Sequence, residues 1–247
     1  MPAPRQQIDP PRPRPAAPPR AGTAAQLIYR EVREDIVSLR RKPGEPIVER
    51  QIALRRGVSR TPVREALLRL ADEALVDIFP QSGTFVARIP ASALPEAILM
   101  RTALEQTTAR LAAERADAGE IARLTGLIDR QRRLAARGDR DRFHAADEAF
   151  HAAIAAAAGH PGIWRFIEQV KIQVDRYRRL TLPVRGRMGQ VVDEHAAILA
   201  AIAAHHPQGA AAAMATHLEA LRASIADVRD LNPDYFVDGS LPRAASA

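Results

Sequence analysis

The sequence predicts a mainly α chain in two parts, three helices and a β-hairpin at the front joined to an all-helical bundle behind. Two observations predict it. Apolar residues recur at three- and four-residue steps through nearly all of the chain after residue 23, and only residues 75–88 carry short β-prone runs. The net charge of +7 is also uneven, since residues 1–90 hold 16 basic and 10 acidic side chains while the remainder holds 20 and 19. A basic front on a balanced remainder is the footprint expected of a nucleic-acid-binding end. Part of that charge, Arg5, Arg12, Arg14 and Arg20, falls in a Pro-rich stretch over 1–22 that cannot build a core and reads as a solvated tail.

Composition removes several classes. The chain has 247 residues, 47% of them hydrophobic, enough for two modest domains with real cores. It has no cysteine, which excludes a disulfide framework, a thiolate zinc finger and a Cys nucleophile. No apolar run approaches the roughly 20 residues that span a bilayer, and the N-terminus has no apolar core of a secretory signal. The expectation is a cytoplasmic protein with no membrane partner. Only two lysines beside many arginines and alanines read as a compositional bias of the source.

From Thr23 the stripe Leu27, Ile28, Val32, Ile36, Leu39 predicts a first helix that ends before Pro43-Gly44. A short second helix spans Val48 to Arg55, and Gly57 breaks it. Ser59 supplies an N-cap, Pro62 sits in the first turn where its missing N–H is no loss, and Val63, Ala66, Leu67 and Leu70 form the inward face of the third. Runs Leu75 to Phe79 and Thr84 to Arg88, joined by Pro80-Gln81-Ser82-Gly83, read as a hairpin. Three helices plus a hairpin make a winged helix-turn-helix, placed at 23–89. Ile89 to Ser92 is a connector, and breaks near Asp117, Gly138, Gly159 to Gly162, Pro183 to Gly186 and His206-Pro207 divide 92–230 into six helices: 93–116, 118–137, 139–158, 162–182, 187–205 and 208–230. Residues 231–247 are polar and read as a frayed, flexible tail. There is no internal repeat.

Arg60 and Arg64 stand four residues apart at the start of the third helix and so project together, where a planar guanidinium can meet a guanine edge or a phosphate with two hydrogen bonds. Ser59 and Thr61 add hydroxyls, and the helix N-terminus adds N–H donors. The string Val58-Ser59-Arg60-Thr61-Pro62-Val63-Arg64-Glu65-Ala66-Leu67 closely resembles the helix-turn-helix signature of the GntR family of bacterial regulators, and the resemblance runs from about Leu27 to Val86. It implies that Arg50, Arg60, Thr61 and Arg64 contact operator DNA, beside the Ser59 hydroxyl, with the wing tip Gln81, Ser82 and Gly83 approaching the minor groove. Two positions depart from the family pattern: Ala74 stands where Gly is usual, and Gln81-Ser82 where a basic residue before the wing Gly is common.

In the helical half, polar groups fall on apolar stripes, where a charge must be paired or must bind something. The stripes are Phe143, Asp147, Phe150, Ile154, with His151 one turn above Asp147; Val191, His195, Ile198, Ile202; and Met214, His217, Leu221, Ile225. Three neutral imidazoles and a carboxylate from three helices suit a borderline divalent ion, Zn, Ni or Mn. His144 reads as an outer or solvent group, and His160, His205 and His206 as helix-end residues.

The pieces Arg101-x-x-Leu104-Glu105, Asp147-x-x-Phe150-His151, His195-x-x-Ile198-Leu199-x-Ala201-Ile202 and Met214-x-x-His217-Leu218 are similar to the FCD-type ligand-binding domain of the FadR subfamily of GntR regulators. The resemblance implies Asp147, His151, His195 and His217 as metal ligands, a small carboxylate effector completing the ion's shell, and Arg101 with Glu105 at the effector; Arg176 and Arg179 are further pocket candidates. The expected function is a homodimeric, non-enzymatic regulator, most simply a repressor, on a pseudo-palindromic operator. Two alternatives stay open at this point, a metal-dependent enzyme using the same four ligands and a regulator whose metal only staples helices.

Overall fold

The computed structural model describes residues 21–223 and 225–237. The first 20 residues of the expected N-terminal tail and residues 238–247 of the expected C-terminal one lie outside the described residues. Among them no helix is long and apolar enough to cross a membrane.

The front unit is built from α1 (Ala21–Val37), α2 (Glu49–Arg56), α3 (Arg60–Asp72) and the strands β1 (Val76–Phe79) and β2 (Gly83–Val86). The strands pair antiparallel with Val76 opposite Val86 and Phe79 opposite Gly83. Ile28, Val32 and Ile36 of α1 meet Val63, Leu67 and Leu70 of α3, and Leu75, Val76 and Val86 close the core. This differs from the sequence reading in two places. α1 stops at Val37, because Leu39 takes a positive φ of 61° and turns the chain, and Leu27 is 61% exposed. The inward stripe is Ala25, Ile28, Val32, Ile36. Ser59 occupies the N-cap position of α3 with no side-chain capping bond.

A two-residue strand β3 (Ile89–Pro90) and a 3-10 turn (Ala91–Ala93) lead to the body: α4 (Leu94–Arg115), α5 (Ala118–Ala136), α6 (Arg140–Ala157), α7 (Pro161–Val170), α8 (Ile172–Thr181), α9 (Arg187–Ala203), α10 (Pro207–Ala223) and α11 (Ile225–Leu231). The start of α5 is a reciprocal cap, in which the Asp117 carboxylate accepts from Glu120 N–H at 2.8 Å and the Glu120 carboxylate accepts from Asp117 N–H at 3.0 Å. Faces of α4, α5, α6, α9 and α10 bury one core through Ala109, Leu124, Phe143, Phe150, Ile198 and Met214.

The helix read over 162–182 breaks at Lys171, whose ammonium turns inward between Glu148 and Asp175, while α10 and α11 cover the helix read over 208–230 on either side of residue 224, which lies outside the described residues. The segment expected to be frayed from Asn232 instead folds back: Pro233–Tyr235 form a 3-10 turn, and β4 (Phe236–Val237) pairs parallel with β3, burying Phe236. Arg88 Nε donates to the Asp234 carbonyl at 2.9 Å beside this pair.

Front and body meet across α8. Its Ile172 joins the core of the front unit, Gln173 Nε2 donates to the Ala74 carbonyl at 3.0 Å, and buried Arg176 donates to the Ala87 carbonyl and to Gln173 Oε1. Ala74 ends the α3–β1 turn in the left-handed region at φ 53°. A Cβ there costs about 1–2 kcal/mol. Ala74→Gly should therefore raise the unfolding free energy by about 0.5–1 kcal/mol after the extra freedom of glycine in the unfolded chain is subtracted. Urea denaturation checks it; a loss of stability would show that the alanine methyl packs better than it strains.

Candidate DNA-reading head and buried histidine cluster

The head presents its predicted contacts outward. Arg50, Ser59, Arg60, Thr61 and Arg64 are exposed, as are Gln81, Ser82 and Gly83 at the hairpin tip, where Gln81 (φ 64°) and Gly83 (φ 119°) turn the chain. Arg60 Nη2 and Arg64 Nε both donate to Glu49 Oε2, at 2.9 and 3.1 Å. Burial works against the Glu49 charge, but the two guanidinium groups outweigh it and lower its pKa. Glu49 at the start of α2 thus holds two arginines of α3 side by side, while each remains about 60% exposed. Sequence reading missed Glu49, since it opens a different helix eleven residues away.

In the body the four polar stripe residues converge. His195 Nε2 lies 3.4 Å from His217 Nε2 and 3.6 Å from Asp147 Oδ1, and His151 Nε2 lies 3.8 Å from Asp147 Oδ2. All four are buried. The reason is local: α6 sets Asp147 and His151 one turn apart, while α9 and α10 each contribute an imidazole from a buried stripe.

Each imidazole is turned by a partner on its other nitrogen. Gln131 Nε2 donates to the Ala146 carbonyl at 3.1 Å, which leaves Gln131 Oε1 to accept from His195 Nδ1 at 2.8 Å. His217 Nδ1 meets Glu194 Oε2 at 2.6 Å, and His151 Nδ1 is in close contact with the Glu105 carboxylate. A proton on each Nδ1 leaves the Nε2 lone pairs facing one another. Burial also lowers the pKa of His195 and His217, which keeps them neutral and able to donate lone pairs. The His151 Nε2 is buried without a hydrogen-bond partner among the described residues. Donors set about 2.1 Å from one ion at tetrahedral angles are about 3.4 Å apart, close to the spacings here. The cluster could hold a metal ion, and the donor set fits one.

Arg178 of α8 grips Asp147 with both η nitrogens, at 2.7 Å and 2.6 Å. Burial disfavours the Asp147 charge, yet Arg178 and the imidazoles hold its pKa well below the usual carboxylate range. Beside this pair lies a small cavity lined by Arg101, Arg178, Thr181, Arg187, Val191 and His217. Arg101 is 1% exposed; its Nε donates to Glu105 Oε1 at 2.6 Å, and its two η nitrogens have no hydrogen-bond partner among the described residues.

The other pocket candidates are placed elsewhere. Arg176 points to the head, as described, and Arg179 pairs with Asp141 at the surface, so neither enters the cavity; Arg178 takes the place expected of them. α8 is buried on nearly every side, which removes the polar face that would have set its phase. Gln131 was findable, since it sits on the buried stripe Leu124, Ile128, Gln131, Leu134 just as the histidines sit on theirs. Glu194 was not, being one residue off the His195 stripe. His144 is buried rather than solvent-facing, and burial pushes its pKa down to about 3. It lies near Glu148 and Asp175, whose charges Lys171 already meets. His160, His205 and His206 stand at helix ends as expected.

Two family profiles match the chain: "Bacterial regulatory proteins, gntR family" over residues 24–86 and "FCD domain" over residues 96–220. An HTH-type transcriptional regulator in an unstable DNA locus of Streptomyces ambofaciens is 34% identical over 209 residues, 85% of this chain and 88% of its own. The HTH-type transcriptional repressor RspR of Escherichia coli is 32% identical over 211 residues, 85% of this chain and 92% of its own. The solved structure of Escherichia coli McbR/YncC superposes with a TM-score of 0.70 at 22% identity, over 83% of this chain and 97% of that one, and shares the fold. Both relatives are named as transcription regulators, which favours the regulator reading over the catalytic alternative. With a groove-reading head and a helical body each matched in place, the chain belongs to the GntR family of bacterial transcription regulators and carries an FCD domain.

Proposed function

We propose that this regulator is a cytoplasmic homodimer of the FadR subfamily that represses from a pseudo-palindromic operator and is released by a small carboxylate bound at a metal site in its body. The observation that carries the effector reading is Arg101: a buried guanidinium with two unpartnered η nitrogens, in the cavity that His217 and Arg178 also line. A carboxylate is the group that satisfies such a fork with two hydrogen bonds. Glu105 holds Arg101 from the other side.

Asp147, His151, His195 and His217 would hold a Zn, Ni or Mn ion, whose chemistry is Lewis-acid attraction for a carboxylate oxygen. The protein residues do the rest. Gln131, Glu194 and Glu105 fix the imidazoles, and Arg101 orients the anion. Arg178 connects the site to the head, because it sits on the same short helix as Ile172, Gln173 and Arg176, which dock on the end of α3 and the exit of the wing. Re-seating Arg178 would shift that helix against both. In the head, Arg60 and Arg64 read base edges from the start of α3, with Ser59, Thr61 and Arg50 on flanking phosphates and Gln81, Ser82 and Gly83 at the minor groove. A twofold dimer pairs two such heads with two equivalent half-sites. Repression accords with the name of the RspR relative, a transcriptional repressor.

Arg64→Ala should weaken binding to a defined operator and relax base preference at one position by about 1–3 kcal/mol in a competition gel-shift; unchanged preference would remove Arg64 from the readers. His195→Ala should lose the ion by elemental analysis of the purified protein while keeping operator binding, and full metal content would argue against this ligand set. Arg101→Gln should keep the ion yet lose the thermal shift that small carboxylates give the wild type. If wild type shows metal and no carboxylate raises its melting temperature, the ion is only a staple.

A further inference from the structure

The cavity beside Arg101 does not end at its own walls. Thr181 and Arg187 line it and also line a larger cleft outside, between the start of α9, the end of α10 and α11. The inner cavity is tight, about 10 Å³, the room of a single water, so a head group reaches Arg101 only by parting its walls and a chain has no place there. We infer that the outer cleft is a second part of the effector site, and that it takes the apolar arm of a monocarboxylate, with no second anion at its end, whose head group is held at Arg101. This rests on the effector reading above and adds to it the class of acid.

The lining decides the class. Val184, Ala220, Ala223, Val228 and Leu231 give the cleft apolar walls, and Val184 and Leu231 are 54% and 76% exposed, so an alkyl arm would cover surface now open to water. The small Ala220 and Ala223 leave the space open. The charges argue against a second anionic end. Arg187 is bound to Glu194 Oε1 at 2.9 Å, and the other oxygen of Glu194 is held by His217. Asp193 and Asp227 face the cleft without an ion-pair partner among the described residues. A distal carboxylate would meet two like charges there, while methylenes would meet Val184, Val228 and Leu231.

Isothermal titration of the full chain in the presence of zinc, with acetate, butanoate, hexanoate and adipate, tests it. Affinity should rise up to about fourfold per methylene from acetate to hexanoate, and hexanoate should bind more tightly than adipate. Ala223→Phe, at an exposed position that leaves the fold intact, should bring hexanoate down toward acetate without changing acetate itself. Affinity independent of chain length, adipate as tight as hexanoate, or an unaltered length dependence in Ala223→Phe would overturn the apolar arm and leave the head group standing. The underlying reading fails differently: an Arg101→Gln chain that still binds acetate and hexanoate as the wild type does would overturn the head-group site, and this inference with it.

Discussion

A carboxylate, Asp147, sits at the centre of the helical body with no exposed surface, and the arrangement around it follows from the need to compensate that charge. Arg178 meets it with two hydrogen bonds, and three imidazoles complete its surroundings. Each imidazole is in turn held from behind, by Gln131, Glu105 or Glu194, so the charge at Asp147 organises side chains from α4, α5, α6, α8, α9 and α10. Removing one partner would leave the others buried and unpaired. That interdependence makes the cluster a fixed object rather than a chance meeting of polar groups.

The same compensation reaches the DNA-binding end. Arg178 belongs to α8, a helix of ten residues that is buried on almost every side and touches both halves of the molecule. Its contacts to the head are hydrogen bonds to backbone carbonyls, Ala74 at the end of α3 and Ala87 beyond the wing, together with Ile172 in the head core. Carbonyls do not swing as side chains do, so these contacts fix α8 against the head. The β3–β4 pair, with Arg88 on the Asp234 carbonyl, ties the connector between the halves to the end of the described chain.

Several of these features were legible in the residues. A period of three and four residues marks a buried face because a helix repeats locally, and a polar residue on that face is visible without knowing what it will touch. That logic found Asp147, His151, His195 and His217, and the same logic applied to α5 would have found Gln131. The exposed Arg60 and Arg64 were legible because both stand on one short stretch of a single helix. Where the pattern is uniform it carries no phase: α8 is buried all round, and Arg176 and Arg179 were named where Arg178 stands.

The amino-acid order by itself determined the two-part organisation, the winged head, the helical body, and that Asp147, His151, His195 and His217 lie on buried faces, since each depends on neighbours within one or two turns. Only the tertiary structure decided who their partners are. Glu49 beneath the arginines, Arg178 on Asp147, Glu194 behind His217, and the return of Phe236 to Ile89 all join residues from different elements, and such pairings arise when the elements pack. The physical reason is that burial is a property of one face of one element, whereas compensation of a buried charge requires two.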